Sequence, residues 1–244
     1  MRRSGALDRS VLNDRMVRSV KEKIKRNGDV LLGICFSAVY LLWFSFLEHT
    51  VTDRYHIIHV ALDDYIPFCE YFIIPYLLWF FYVGGMTFWF FRHDRMIFRR
   101  LVAFLFIGMF TSLLFCTVYP NGTDFRPVVD PDKNIFTALV AMVYRTDTPT
   151  NVFPSIHVYN SLGIHLAVLQ SERLKGRRCV RFASGVMCVL ICLSTMFLKQ
   201  HSVLDVLAAS FLAFSVYGTV YAPEHVREPV GELRRRALLR HPEE

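Results

Sequence analysis

Asn151-Val-Phe-Pro-Ser-Ile-His-Val158 is a short polar punctuation that opens directly into an apolar run continuing through Gln170. Pro154 suits the first turn of a helix, where its missing N–H would have no partner, and Asn151 or Ser155 can cap the orphan donors behind it. A helix is therefore predicted to start here and to enter a membrane. Its free N–H groups and positive dipole end favour an anion, so the His157 imidazole stands where a phosphate oxygen would be stabilised. The plainer alternative is a capped helix with an interfacial histidine.

Around this stretch lie 244 residues, 53% of them hydrophobic and 22 of them Phe, with a net charge of +7 and a mean hydropathy of +0.32. That balance is too apolar for a soluble domain of this length and points to a membrane protein. Crossing ~30 Å of hydrocarbon takes about 20 apolar residues. Six such spans are read at Val30–Leu47, Ile66–Phe91, Leu101–Val118, Phe153–Leu169, Val180–Leu198 and Ser202–Tyr221. The first follows a basic leader and lacks a small-residue cleavage signature, which reads as an uncleaved signal-anchor. The expected architecture is an all-α, six-helix membrane bundle over residues 30–222, with a basic N-terminal segment (1–29) and a C-terminal tail (223–244).

Lys and Arg near short loops are retained on the cytoplasmic side. With six spans, 23 of the 28 Lys and Arg fall before Asp29, in Arg92–Arg100, in Arg173–Arg181 and in Arg227–Arg240. The other side keeps Arg54, Arg126, Lys133, Arg145 and Lys199. Both termini are therefore expected in the cytoplasm, with the protein in the cell membrane. The positive charge follows the inner membrane surface instead of gathering on one basic domain, which argues against nucleic acid as a partner.

Residues 1–29 alternate basic and apolar side chains, as an amphipathic helix on an anionic leaflet would, or a solvated basic tail. The loop from Glu48 to Tyr65 holds His49, His56, His59, Asp63 and Asp64, but in no recognised metal-ligand spacing, and Asp63-Asp64 serves equally as the start of the second span. Pro75 is expected to kink that span. The connection Tyr119–Val152 is long enough to suggest function, and Asn121-Gly-Thr123 in it is both a formal glycosylation sequon and a plain turn signal. The cysteines imply no disulfide framework. Cys188 and Cys192 share a helix face, where packing outweighs metal binding, and His165 reads as packed and hydrogen-bonded in the bundle.

Three polar clusters fall on one side of the membrane by this topology: Arg126-Pro127, Ser155 with His157, and Ser194 through Asp205. His201 is expected to start the sixth span, with Asp205 one turn deeper on the same face. There the carboxylate can accept the imidazole N–H and leave the other ring nitrogen free to attack. A carboxylate inside a span is costly unless paired, which argues that Asp205 has work, whether for His201 or as a partner of Lys199 or a hydroxyl.

These residues resemble the motifs of the type 2 phosphatidic acid phosphatase superfamily. Its first motif ends in Arg-Pro, as Arg126-Pro127 does; its second is Pro-Ser-Gly-His, against Pro154-Ser155-Ile156-His157; its third ends in His-x-x-x-Asp, as His201 to Asp205 does. The resemblance covers residues 30–222 and extends to the six-span plan. The departures are Tyr119 where the first motif opens with Lys, Thr195 where the third has Arg after Ser194, and Ile156 for Gly. The runs at Ser194 and Phe153 are also similar to the inositol phosphorylceramide synthase and sphingomyelin synthase branch, which transfers phospho-head-groups.

The resemblance implies that His201 forms a phosphohistidine, Asp205 orients it, and His157 protonates the departing lipid alkoxide. It implies further that Arg126, Ser155, Ser194 and Lys199 hold the phosphoryl oxygens, with no metal and no cofactor. The implied substrate is a phospholipid or lipid phosphate at the outer leaflet, hydrolysed or transferred to another lipid alcohol. A transporter using its His and Asp as a proton path is the rival from another class, although such proteins more often show internal repeats and broken helices at mid-membrane. A catalytically dead relative is the third reading.

Overall fold

The computed structural model describes Gly28, residues 31–52 and residues 54–221, so the basic leader, Gly28 apart, and the C-terminal tail lie outside the described residues. The chain divides after Thr50 into two units. The described part of the first is one helix, α1 (Leu31–Thr50), apolar and long enough to cross a membrane.

The second unit starts with a two-residue strand, β1 (His56–Ile57), and a short helix, α2 (Ala61–Tyr65). A 3₁₀ turn then leads into α3 (Ile73–His93), followed by α4 (Arg95–Val118), strand β2 (Asn121–Gly122), α5 (Ile135–Thr146), α6 (Ile156–Gln170), α7 (Arg178–Phe197) and α8 (Val203–Val220). The protein is mainly helical. Five helices, α1, α3 with its leading turn, α4, α7 and α8, are long and apolar enough to cross a membrane, as expected of a multi-pass membrane protein. Their outward faces carry bulky apolar groups such as Phe81 and Phe211, 76% and 78% exposed, as lipid-facing surfaces do.

The expected fourth span is the exception. Helix α6 has 15 residues, about 22 Å at ~1.5 Å per residue, and packs against α3, α4, α7 and α8. Close approach makes this possible: a Cβ on Gly108 of α4 would come within 2.0 Å of the Tyr159 ring, and one on Gly163 within 2.6 Å of Phe104. Tyr159 is buried, stacks on Phe104 at 4.6 Å between centroids and donates its hydroxyl to the Phe104 carbonyl at 2.8 Å. Around it Phe90, Leu101, Val158, Ile164, Ala209 and Ala213 form the main core.

Several expectations about boundaries are corrected. The long helix after the first loop begins at Ile73 rather than Ile66, so Pro75 lies in its first turn, where its missing N–H breaks no hydrogen bond of the helix interior. Asp63-Asp64 belongs to α2 and does not open a span. The connection Tyr119–Val152 is not all loop: Asn134 caps α5 by accepting from Phe136 N and Thr137 N, both at 2.9 Å, while Thr137 Oγ1 accepts from Asn134 N. Helix α5 packs on the N-terminal end of α3, where Ile73, Tyr76, Val140, Val143 and Leu198 form a second core.

Asn121 is fully buried and is no glycosylation acceptor. Its side chain accepts from Val152 N and Phe153 N and donates to Tyr119 O, while β2 pairs in parallel with β1 and bridges Thr150. Gly122 is required there, since a Cβ would lie 2.6 Å from Pro149 O. Three loops are thus tied together at one end of the bundle. At the other end Ser171 Oγ donates to Asp94 Oδ2 at 2.7 Å, which joins the α3–α4 and α6–α7 connections and brings the Arg92–Arg100 and Arg173–Arg181 charges to the same end.

Candidate active site

The C-terminus of α7 and the N-terminus of α8 build the centre of the site. Lys199 adopts a left-handed conformation, φ 53°, which reverses the chain in the way helix C-termini usually achieve with Gly or Asn. Thr195 O then accepts from both Gln200 N (2.9 Å) and His201 N (3.1 Å), folding the two residues back over the last turn of α7. His201 does not start α8, as the sequence suggested, but stands before its cap. Ser202 is that cap, its Oγ accepting from Leu204 N at 3.1 Å, and Asp205 closes the box by accepting from Ser202 N at 3.0 Å.

The same Asp205 oxygen faces His201 Nδ1 at 3.1 Å. A carboxylate there calls for the ring proton on Nδ1, which leaves a lone pair on Nε2. Nε2 in turn faces His157 Nδ1 at 3.4 Å. His157, in the first turn of α6, lies between Tyr76 and Trp79 of α3, with ring centroids at 4.8 and 4.5 Å. His157, His201 and Asp205 are all buried. The site therefore holds a nitrogen base oriented by a carboxylate, with a second imidazole within reach of its free nitrogen.

Ser155 is the N-cap of α6, its Oγ 3.5 Å from Val158 N, and its backbone N–H donates to Asp205 O, which ties α6 to α8 beside the two histidines. Pro154 lies outside α6, one residue before the cap and not in its first turn. Arg126 comes in from the loop after β2. Its Nη1 donates to Asp147 O at 2.6 Å and its Nη2 to Thr148 O at 3.0 Å and to Gln200 Oε1, while the guanidinium lies 4.9 Å from the Tyr144 ring centroid. The Asp147 side chain accepts from the Tyr76 hydroxyl at 3.0 Å. Arg126 thus joins His201 through Gln200, and His157 through Asp147 and Tyr76.

Two expected members are used otherwise. Lys199 turns away from an oxyanion role: its Nζ donates to Asp63 O at 2.7 Å and lies 5.6 Å from the Phe125 ring centroid. Ser194 is fully buried and donates its hydroxyl to Ile191 O on its own helix. His165, for its part, meets Ser184 Oγ at 3.1 Å, which Tyr82 OH also meets at 2.7 Å, a polar link between α3, α6 and α7.

Two contacts beside the site were not foreseen from the sequence. Asp63 is buried and accepts from Ser202 Oγ (2.6 Å), Val203 N (2.8 Å) and Val60 N (2.9 Å), so α2 grips the start of α8. No spacing announced that contact, because it joins residues 139 apart. Gln200, 1% exposed, links Arg126 to the His201 turn. The Ser202-x-x-Asp205 capping box could have been seen, and would have moved the helix start past His201. Outside the site, His59 and Asp64 pair at 2.9 Å, and among the described residues no group of three His, Cys, Asp or Glu forms a metal cluster. Set against family models, curated proteins and solved structures, the chain has no match in any of the three.

Proposed function

We propose that this protein is a membrane lipid phosphatase of the type 2 phosphatidic acid phosphatase kind, cleaving lipid phosphate esters through a phosphohistidine. The observation that carries the reading is the Asp205–His201–His157 line, with contacts of 3.1 and 3.4 Å, beside an arginine held by Asp147, Thr148 and Gln200. In the first step His201 Nε2 attacks phosphorus and the bond to the lipid oxygen breaks. His157 gives its proton to the leaving alkoxide, and Asp205 stabilises the His201 ring as it becomes cationic. Water then attacks the phosphohistidine, His157 takes its proton, and phosphate leaves with His201 restored. Arg126 supports the developing charge on the phosphoryl oxygens.

Six membrane passes, with α6 as the fourth, both termini in the cytoplasm and the site opening to the outer leaflet of the cell membrane complete the proposal. The basic connections at the end opposite the histidines support that orientation.

One observation favours a second reading, head-group transfer from a phosphodiester to a lipid alcohol. Lys199, expected as a second cation for the phosphate, gives its amine to Asp63 O. A monoester carries nearly two charges at neutral pH and a diester one, so a site with fewer cations suits the diester.

The test is to incubate purified protein with lipid phosphates and phospholipids, with and without ceramide or diacylglycerol, and to identify products by mass spectrometry. Released phosphate or new phospho-lipids are expected, together with acid-labile, base-stable phosphate on the wild type that is absent from His201→Ala. Neither product nor protein-bound phosphate from any substrate would defeat the proposal.

A further inference from the structure

Gln200 stands between the residues on which the proposed reaction depends. It immediately precedes His201 in the turn held by Thr195 O, and its Oε1 accepts from Arg126 Nη2. A guanidinium offers only donors, so this contact settles which end of the amide is oxygen and directs the –NH₂ away from the arginine. The side chain is 1% exposed, and its Nε2 meets no hydrogen-bond partner. A buried donor of this kind is costly to leave unmade, which points to a ligand as the acceptor. Arg126 here does two things: it is a cation in its own right, and it fixes a neutral donor on the residue that precedes His201.

We infer that Gln200 Nε2 donates to a phosphoryl oxygen of the substrate, supplying by a neutral hydrogen bond part of the stabilisation that Lys199 does not give. This rests on the phosphotransfer reading of His201. Gln200 is then a phosphate-binding residue, and the oxygen it holds is one of the equatorial oxygens over which charge is spread in the transition state. A donor so placed acts on kcat more than on KM, because its hydrogen bond strengthens as that charge develops.

The experiment uses the full chain in lipid nanodiscs, wild type, Gln200→Met and Gln200→Glu, with phosphatidic acid and phosphatidylinositol as substrates and inorganic phosphate as competitor. Gln200→Met keeps the volume and loses the donor. It is expected to lower kcat by about 100-fold and to weaken inhibition by phosphate.

Gln200→Glu keeps an acceptor for Arg126, so it is informative even if the Met variant fails to fold. Ionised, its carboxylate has no donor and repels the phosphoryl group; protonated, it again offers one. The ratio of its kcat to that of wild type is therefore expected to rise as pH falls. The ionised carboxylate also offsets the charge of Arg126, so a rising ratio is read together with Gln200→Met in an Arg126→Lys background, where a residue that only orients the guanidinium would cost nothing further. A ratio flat or falling on acidification, or no further loss of kcat in that background, would overturn the inference. A wild type that neither turns over these lipids nor forms phosphohistidine overturns the reading of His201 itself, which the Gln200 variants leave untouched.

Discussion

Replacing Asp63 by Asn tests how His201, the proposed nucleophile, is held. The carboxylate crosses from α2 to α8 through two hydrogen bonds, Ser202 Oγ at 2.6 Å and Val203 N at 2.8 Å, and closes its own turn through Val60 N at 2.9 Å. Hydrogen bonds to a charged group contribute roughly 1.5–3 kcal/mol each, so the two crossing bonds together amount to about 3–6 kcal/mol. Asp63→Ala would forfeit all of that and leave buried donors unmet, a loss comparable to the whole ~5–15 kcal/mol stability of a domain. Asn is the sharper perturbation. It retains one acceptor and presents an –NH₂ to a donor, at a cost of about 1–3 kcal/mol, so the fold survives while the start of α8 shifts.

His201 immediately precedes the gripped residues, and a misplacement of ~1 Å at a reacting group can lower rate by about 10²-fold. Asp63→Asn is therefore expected to reduce kcat by roughly 10- to 100-fold with KM little changed. Single-turnover formation of phosphohistidine should slow to the same degree. Both are measured beside thermal unfolding in detergent. Should the variant unfold at lower temperature yet keep kcat within twofold of wild type, the carboxylate would be holding α2 to α8 without positioning His201, and the reasoning would fail.

Four further outcomes follow from the geometry. Gly108→Ala should destabilise by about 1–3 kcal/mol or more, read as a lowered unfolding midpoint, because its Cβ would meet the buried Tyr159 ring at 2.0 Å. Asp205→Asn should leave a small residue of turnover, lowered on the order of 10³- to 10⁴-fold, since an amide cannot hold His201 Nδ1–H and Ser202 N–H on one charged oxygen; near-normal kcat would remove Asp205 from the mechanism. EDTA should leave turnover unchanged, because the proposed nitrogen attack, assisted by Arg126, uses no ion; loss of activity restored by zinc would turn attention to the His59–Asp64 loop. Single cysteines at Asp124 and Lys175, both exposed, should react with an impermeant reagent from opposite sides, in a background with Cys35 and Cys179 replaced by Ser. Reaction of both from one side would refute the topology.

Apolar content made the membrane character legible, and the four-residue spacing made the His201–Asp205 contact legible even though helical periodicity was the wrong reason for it. His201 reaches Asp205 from outside the helix because Ser202 and Asp205 cap α8 between them. At α6 the helix is shorter than the counted span: Asn160, Ser161 and His165 interrupt the apolar run, and packing against four neighbours stabilises it. Helix α5 was hidden in a connection judged by polarity alone, although Asn134 to Thr137 is a capping sequence. The contacts of Asp63 and Gln200 were out of reach: their partners lie 139 and 74 residues away, and no local pattern encodes such a distance.

The contacts that hold Arg126 bear on its suitability as an anion site. Asp147 O, Thr148 O and Gln200 Oε1 are neutral acceptors, so each of these bonds fixes the guanidinium without subtracting from its charge. The nearby Asp147 carboxylate is engaged by the Tyr76 hydroxyl at 3.0 Å, which gives it a donor other than the arginine. Dipoles that hold a cation cost little reorganisation when charge develops in front of it. That the dipoles come from α5, from the loop behind it and from the residue before His201 explains why the long connection is built as a packed cap on α3: it fixes the arginine relative to the histidines.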